Sequence, residues 1–493
     1  MSESSTLSAM QTIRPTQTAG ASRHCVATVL PGGDAPPSGK RIPCGWSAIS
    51  IRAREAAPVE LRWPAMPEDA PATHLRITVA IDLTGARQVE AVLARSQRLL
   101  GIFDLRNASV FQPCEIPLLA EDLPAIRREG IALRLTDESD PLWIFSGGDG
   151  LDPLHLPHLL LPGAQPALNE FHTRFASHAS LQPFGWMGGC VLDGLLDLAR
   201  LPGWEHARDE AQRQLERFLP EGRLVYEGPT SEPCDGRIST IESTLPFAAL
   251  ARLQPHHPLL DLPLPWWRQH ADAAGAVIDW ISTTSEGSYT VAYPMALIAR
   301  QRDDDALARC ALAQLRLRHH RLFTGGAFWR ISKPGGLRAN RNWARGIAWH
   351  LLGSVRTLAV LSRHVESAAL IDELVELAAW IRGFQRTDGL WSVFVDEPQL
   401  TQDTAGSAGI AAALALGAGR GWLPTAARDA ARRCLDGLTG HLTGHLTADG
   451  LLGGVSPSNK GGEDLQRAPY RIIYPMGMGL MAQLIAALGS DPR

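Results

Sequence analysis

Glu242 stands in TIESTLPF, a stretch with no other charge at the start of an apolar helical pattern. A carboxyl group in such surroundings is one whose pKa burial raises toward neutrality. Glu286 in TTSEGSY and Asp403 in TQDTAGSAG occupy comparable places ahead of apolar runs, and Asp396 and Glu397 lie together in VDEP. Groups of this kind hand over or accept protons in partly dry sites, so general acid–base catalysis by Glu242, Glu286 and Asp403 is the chemistry the spacing suggests. A plainer role competes with it. Asp403, followed by Thr404 ahead of GSAGIAAAL, is also a natural helix N-cap, and Glu242 shares that alternative; a capping position lowers a carboxyl pKa, so burial has to decide.

The same loops are dense in aromatic and guanidinium groups. Trp186, Tyr289, Trp329, Trp343, Trp349, Trp391 and Tyr470 offer flat apolar faces that suit the C–H faces of a sugar ring. Arg330, Arg345 and Arg471 offer planar forks for a carboxylate, with Arg345 beside Trp343 and Trp349 the foremost. Together they point to an acidic saccharide as the binding partner, although any single Trp at a helix start could merely plug a core. Other templates are missing: the sequence has no G-x-S-x-G, no G-x-x-x-x-G-K-[ST], no H-E-x-x-H and no dinucleotide fingerprint. His319 and His320 have no ligand partners at recognisable spacing and read as a surface pair.

These residues need a scaffold, and hydrophobic periodicity supplies one. From about residue 165 to 493 apolar residues recur with helical period in twelve segments, alternately amphipathic and apolar nearly all round. An apolar-all-round helix must be buried, so alternate helices should form an inner ring sheathed by the others, an (α/α)6 barrel whose loops converge at one end. Residues 41–160 alternate with period two (VELRW, HLRITVAIDL, IALRLT) and predict a mostly antiparallel β-rich accessory domain, with one helix over ARQVEAVLARSQRLL. Residues 1–40 read as a flexible N-terminal tail. The Pro-rich stretch DPLHLPHLLLPGAQP reads as the linker between the domains.

Composition limits the partners. With 47 Lys and Arg against 51 Asp and Glu, a net charge of -4 offers no basic field for nucleic acid. No apolar stretch approaches the roughly 20 residues of a membrane span, and the N-terminus shows no secretory pattern, which together predict a cytoplasmic protein. Seven scattered cysteines without a C-x-x-C pair argue against disulfides and zinc. Oligomeric state is open, a homo-oligomer included.

NWARGIAWHLLGSVRTL, QRTDGLWSVFVDEP, DTAGSAGIAAALALGAGRGWLP and PYRIIYPMGMGLMAQLIAAL resemble blocks of glycoside hydrolase families 88 and 105, the unsaturated glucuronyl and rhamnogalacturonyl hydrolases. The resemblance spans about residues 165–490. It implies an (α/α)6 barrel, no metal or other cofactor, and removal of a terminal unsaturated uronic acid by protonation and hydration of its C4=C5 vinyl ether. It places Arg345 and Trp349 on the family's Arg and Trp, and Glu242 on one member of its acidic pair. The family's D-G-L-Y-M-x-x-P pattern falls on Gly287 to Pro294, with Gly where the Asp stands and Glu286 one residue earlier. Its His in a T-G-L-x-x-H segment has no counterpart in TGGAFWRIS. Alternatives are a β-glucuronidase-type hydrolase of saturated uronides, another (α/α)6 enzyme (an epimerase with paired buried histidines, or a lyase using Tyr470 and Arg471), or a barrel that binds saccharide without catalysis.

Overall fold

The structure, a computed structural model, describes residues 20–489 apart from 32, 54, 65, 67–72 and 441–443. The N-terminal part is built of antiparallel strands. One sheet runs β1 (Arg23–Val26), β11 (His158–Leu161), β5 (Thr73–Thr78), β8 (Pro113–Leu118). A second runs β2 (Thr28–Leu30), β4 (Val59–Arg62), β9 (Ile131–Leu135), β6 (Ala86–Leu93), β7 (Leu99–Arg106). A further pair joins β3 (Ser47–Ile51) to β10 (Leu142–Gly147). Alternate residues face inward, so Leu61, Val89 and Leu133 of the larger sheet share one apolar core with Leu75, Ile77 and Leu159 of the smaller. A short helix, α1 (Leu123–Glu129), connects β8 to β9.

Three expectations change here. Residues 86–100, expected as a helix, are β6, a turn and the start of β7. Val89 and Ala91 point into the core, and the chain reverses through Gln97 at φ 60°. Residues 23–30, read as part of a tail, are β1 and β2 and close an edge of each sheet, while residues 1–19 lie outside the described residues. The expected linker contains β11, whose HLLL is wholly buried between β1 and β5.

From residue 167 the chain is helical. Six outer helices, α2 (Ala167–Phe175), α4 (His206–Glu216), α6 (Pro263–Gln269), α8 (Asp305–Leu322), α10 (Ser367–Arg382) and α12 (Thr425–Thr439), alternate with inner ones. The inner helices are α3 (Trp186–Leu198), α5 (Pro246–Leu253), α7 (Tyr293–Gln301), α9 (Ala344–Leu361), α11 (Thr404–Gly419) and α14 (Met476–Gly489), with a short α13 (Gly462–Arg467) ahead of the last. Each inner helix packs on the next and α14 packs back on α3, closing an (α/α)6 ring. Small residues let it close: a Cβ on Gly479 would lie 2.5 Å from the carbonyl carbon of Cys190 in α3. α6 is shorter than the periodicity suggests; after Gln269 the chain turns through 270–282 into β12 (Thr283–Thr284), which pairs with β14 (Ala327–Ser332). β14 also pairs with β13 (Phe323–Thr324) and β15 (Arg338–Arg341).

The two parts are clasped by buried charge. Arg76 of β5 donates to Asp449 of the barrel at 2.5 and 3.0 Å, Arg174 of α2 donates to the same carboxylate, and His24 Nε2 lies 3.0 Å from it. Two guanidinium groups hold the Asp449 carboxyl well below the usual carboxylate range, against the burial that would raise it.

Candidate active site

Every inner-helix mouth except that of α11 contributes a side chain to one cavity at the end of the barrel axis. Glu242 reaches it from a tight turn, Ile241–Thr244, that leads straight into α5. Thr240 caps this turn by accepting from the Glu242 N–H at 3.2 Å, which leaves the Glu242 carboxyl free of capping duty. Among the described residues no side chain donates a hydrogen bond to that carboxyl. Burial, with Glu286 and Asp279 adding negative charge, pushes its pKa up to about 7, against the opposing cations Arg330 and Lys460.

Glu286 is the second carboxyl group of the cavity, and it is differently held. Its Oε1 accepts from Arg330 Nε at 2.6 Å and its Oε2 from Ser285 Oγ at 3.2 Å. A Cβ on Gly287 would lie 2.0 Å from the Arg318 guanidinium, so a side chain there would have to displace it. The acid enters from residue 286. A π-helical turn, Ser288–Ala292, then carries Tyr289 and Thr290 to the wall before α7 begins.

Aromatic rings form the rest of the wall. Trp186 meets Trp349 edge-on at 5.6 Å, and Tyr289 stacks on Trp349 at 6.2 Å. The Tyr289 hydroxyl is anchored below by Asp193 Oδ2 at 2.6 Å. Two guanidinium groups lie over the Trp343 ring, Arg345 at 4.9 Å and Arg330 at 5.6 Å.

Several candidates are placed elsewhere. Arg345 lines the cavity, but its fork is occupied: Nη1 donates to the Ser456 carbonyl at 2.8 Å and Nη2 to that of Pro457 at 2.6 Å. Asp403 is fully buried behind it, accepting from the Ser456 N–H at 3.1 Å and Oγ at 2.8 Å. It stands at the N-cap position of α11 without capping it, and it does not reach the cavity. Trp391 is core, its Nε1 donating to the Ile381 carbonyl at 2.9 Å. Tyr470 faces the β domain, donating to the Asp104 carbonyl at 2.9 Å, and Arg471 ties Thr401 and Gln402 to its own loop. Trp329 follows strand alternation: Arg330 faces Glu286, so its neighbour faces away. Asp396 and Glu397 pair with Arg341 and Arg467 away from the cavity. His320 is exposed, but His319 is half-buried with its ring 5.7 Å from that of buried His350.

Other residues carry no motif that would have announced them. Ser458 and Asn459 line the cavity from the loop ahead of α13, and with its amide turned to satisfy both groups the Asn459 side-chain oxygen accepts from both terminal nitrogens of Arg330 at 2.7 and 2.9 Å. Asp279 adds negative charge from the turn before β12, and burial raises its own carboxyl pKa, with Glu286 adding to the shift.

The fold and cavity together define a toroid of six helical hairpins with a carboxyl-bearing aromatic funnel at one end. Residues 329–487 match the family model of Glycosyl Hydrolase Family 88. A possible member of glycoside hydrolase family 105 from Salmonella enterica serovar Paratyphi A superposes with a TM-score of 0.55 at 16% identity, covering 66% of this chain and 92% of that one. A family 105 glycoside hydrolase from C. acetobutylicum gives 0.52 at 17% identity, over 63% and 94% of the two chains. An unsaturated glucuronyl hydrolase specific for heparin gives 0.50 at 13% identity, over 65% and 94%. No curated protein matches the chain. At these identities the superpositions speak for the fold alone, an (α/α)6 barrel shared with these proteins. Among the described residues no helix is long and apolar enough to cross a membrane.

Proposed function

We propose that the protein is a glycoside hydrolase that removes a terminal uronic acid, in its C4=C5 unsaturated form, from acidic oligosaccharides. The observation that carries this reading is the contrast between the two cavity carboxyl groups. Glu242, with a pKa pushed up to about 7, is protonated in a useful fraction near neutrality, while Glu286 is ion-paired to Arg330. Glu242 is therefore the proton donor and Glu286 the fixed charge beside it.

In this scheme the sugar lies against Trp349 and Trp186, and its carboxylate meets the Asn459 amide with the charge of Arg330 behind it. The Glu242 carboxyl adds its proton to C4 as the C4=C5 electrons move to form that C–H bond, leaving positive charge shared between C5 and the ring oxygen. The Glu242 and Glu286 carboxylates stabilise that charge. Water adds to C5 and returns a proton to Glu242, giving a hemiketal. Ring opening then leaves a C5 ketone and a hemiacetal at C1 that expels the aglycone alcohol.

Hydrolysis of a saturated uronide by paired carboxylates is less well served, because it needs the second carboxylate free to act as nucleophile or base, and here Arg330 occupies it. A lyase or epimerase finds less support as well, since Tyr470 and Arg471 are engaged outside the cavity and no histidine lines it among the described residues. The deciding experiment offers a panel of uronyl disaccharides and follows both ultraviolet absorbance and reducing ends. Hydration of the double bond loses absorbance as the aglycone is released. A gain in absorbance, or reducing ends from saturated substrates alone, contradicts the proposal.

A further inference from the structure

The cavity does not end at Glu242. A second chamber continues from it, sharing Trp186, Glu242, Ser458 and Asn459 as a common wall. Two of its other lining residues, Asp82 and Ser109, come from the β domain. Asp82 sits on the β5–β6 connection, held by the Ser231 hydroxyl at 3.0 Å and the Val110 N–H at 3.4 Å. Ser109 lies in the β7–β8 connection, its Oγ 2.8 Å from the Tyr474 hydroxyl, and the Tyr474 ring meets Trp186 edge-on at 6.0 Å. The accessory domain thus closes one side of the funnel and touches the ring that floors it.

Carboxyl groups outnumber cations in the chamber lining. Asp82 and Glu227 line it together with Glu242, and the cation in the lining is Lys460, whose Nζ is 3.8 Å from Asp82 and donates to the Pro229 carbonyl at 2.5 Å. Glu227 is held by Arg41 at 2.5 Å. Burial raises the carboxyl pKa of both Asp82 and Glu227, against the opposing cations Lys460 and Arg41. The remaining polar lining is hydroxyl: Ser109, Ser239, Thr240, Ser243, Tyr226 and Tyr474. Such a lining hydrogen-bonds sugar hydroxyls and repels a second acidic group.

We infer that this chamber binds the aglycone sugar on the far side of the scissile linkage from the uronate, that it takes a neutral sugar in preference to a sulfated or uronic one, and that Asp82 of the β domain is a specificity-determining residue. The inference rests on the proposed uronyl hydrolase activity, with Glu242 at the junction of the two sugars.

The test compares three substrates with the same unsaturated uronate: its methyl glycoside, its disaccharide with a neutral hexose, and the same disaccharide sulfated on the hexose. Wild-type enzyme should prefer the neutral over the sulfated disaccharide by 10-fold or more in kcat/KM. Asp82→Asn, which keeps the shape and removes the charge, should narrow that preference at least 3-fold. Equal changes on all three substrates, or an unchanged preference, overturn the inference and leave the uronyl hydrolase reading standing. Failure of the wild type to turn over any of the three overturns both. If Asp82→Asn does not fold, Lys460→Gln reads the same ratio in the other direction: the preference should widen, and an unchanged ratio is again decisive against the inference.

Discussion

Arg330 Nε donates to Glu286 Oε1 at 2.6 Å, and this ion pair is what sets the two carboxyl groups of the cavity apart. Glu242, a few residues ahead of a different inner helix, has no such partner and holds its proton up to about pH 7. Arg330 opposes that shift, so removing the cation should raise the Glu242 pKa further. Arg330→Gln is expected to move the alkaline limb of the kcat profile to higher pH and to lower kcat by about 10-fold or more, as Glu286 loses its charge partner. An alkaline limb that stays in place would show that Arg330 does not act on the donor.

Glu242 also predicts a stability effect that needs no substrate. Its folded pKa lies above that of an unfolded Glu, so the folded state binds more protons between about pH 4.3 and 7 and stability falls as pH rises through that window. Glu242→Gln removes the buried charge. It should raise stability relative to wild type at pH 8 by on the order of 1 to 3 kcal/mol and make little difference at pH 4, measured by urea denaturation.

Arg345 is expected to act through the loop it holds. Its two charge-assisted bonds fix the Ser456 and Pro457 carbonyls, next to Ser458 and Asn459 of the cavity wall. Arg345→Lys keeps the charge and loses the fork, so it should cost about 1 to 3 kcal/mol of stability together with activity. Weakened substrate affinity at unchanged stability would instead put Arg345 in direct contact with the uronate.

The interdomain clasp makes a pH prediction of the opposite sign. The Asp449 carboxyl is held far below an unfolded Asp, so its stabilisation is fully present above about pH 4 and is lost as pH falls through its lower folded value. Asp449→Ala leaves buried Arg76 and Arg174 without their common partner and should cost about 3 to 5 kcal/mol at pH 7. Limited proteolysis of the wild type should spare residues 150–168, where β11 is buried, and the variant should be cut there.

Much of this architecture is legible in the sequence because an inner helix such as α11, apolar all round, has no soluble alternative to burial. The hairpin over residues 86–106 was hidden by composition: Ala, Arg, Glu and Leu favour helix, and the turn at Gln97 carries no Gly or Asn–Gly signal. β11 was hidden by its flanking prolines, although a short continuous apolar run such as HLLL is also what a buried strand looks like. In the site, Glu242 and Glu286 stand out as charges in uncharged surroundings. Asp403 shares that pattern, and only the Ser456 hydrogen bonds show that its carboxylate is spent on a loop. Asn459, Asp82 and Ser109 reach the funnel from connections with no periodicity, and nothing local marks them.

The central claim is that Glu242 donates the proton, and kcat of Glu242→Gln across pH on an unsaturated uronyl disaccharide tests it most directly. The account predicts a fall of about 10²- to 10⁴-fold with KM nearly unchanged and the alkaline limb abolished. A Glu242→Gln enzyme with wild-type kcat and the wild-type pH profile would contradict it.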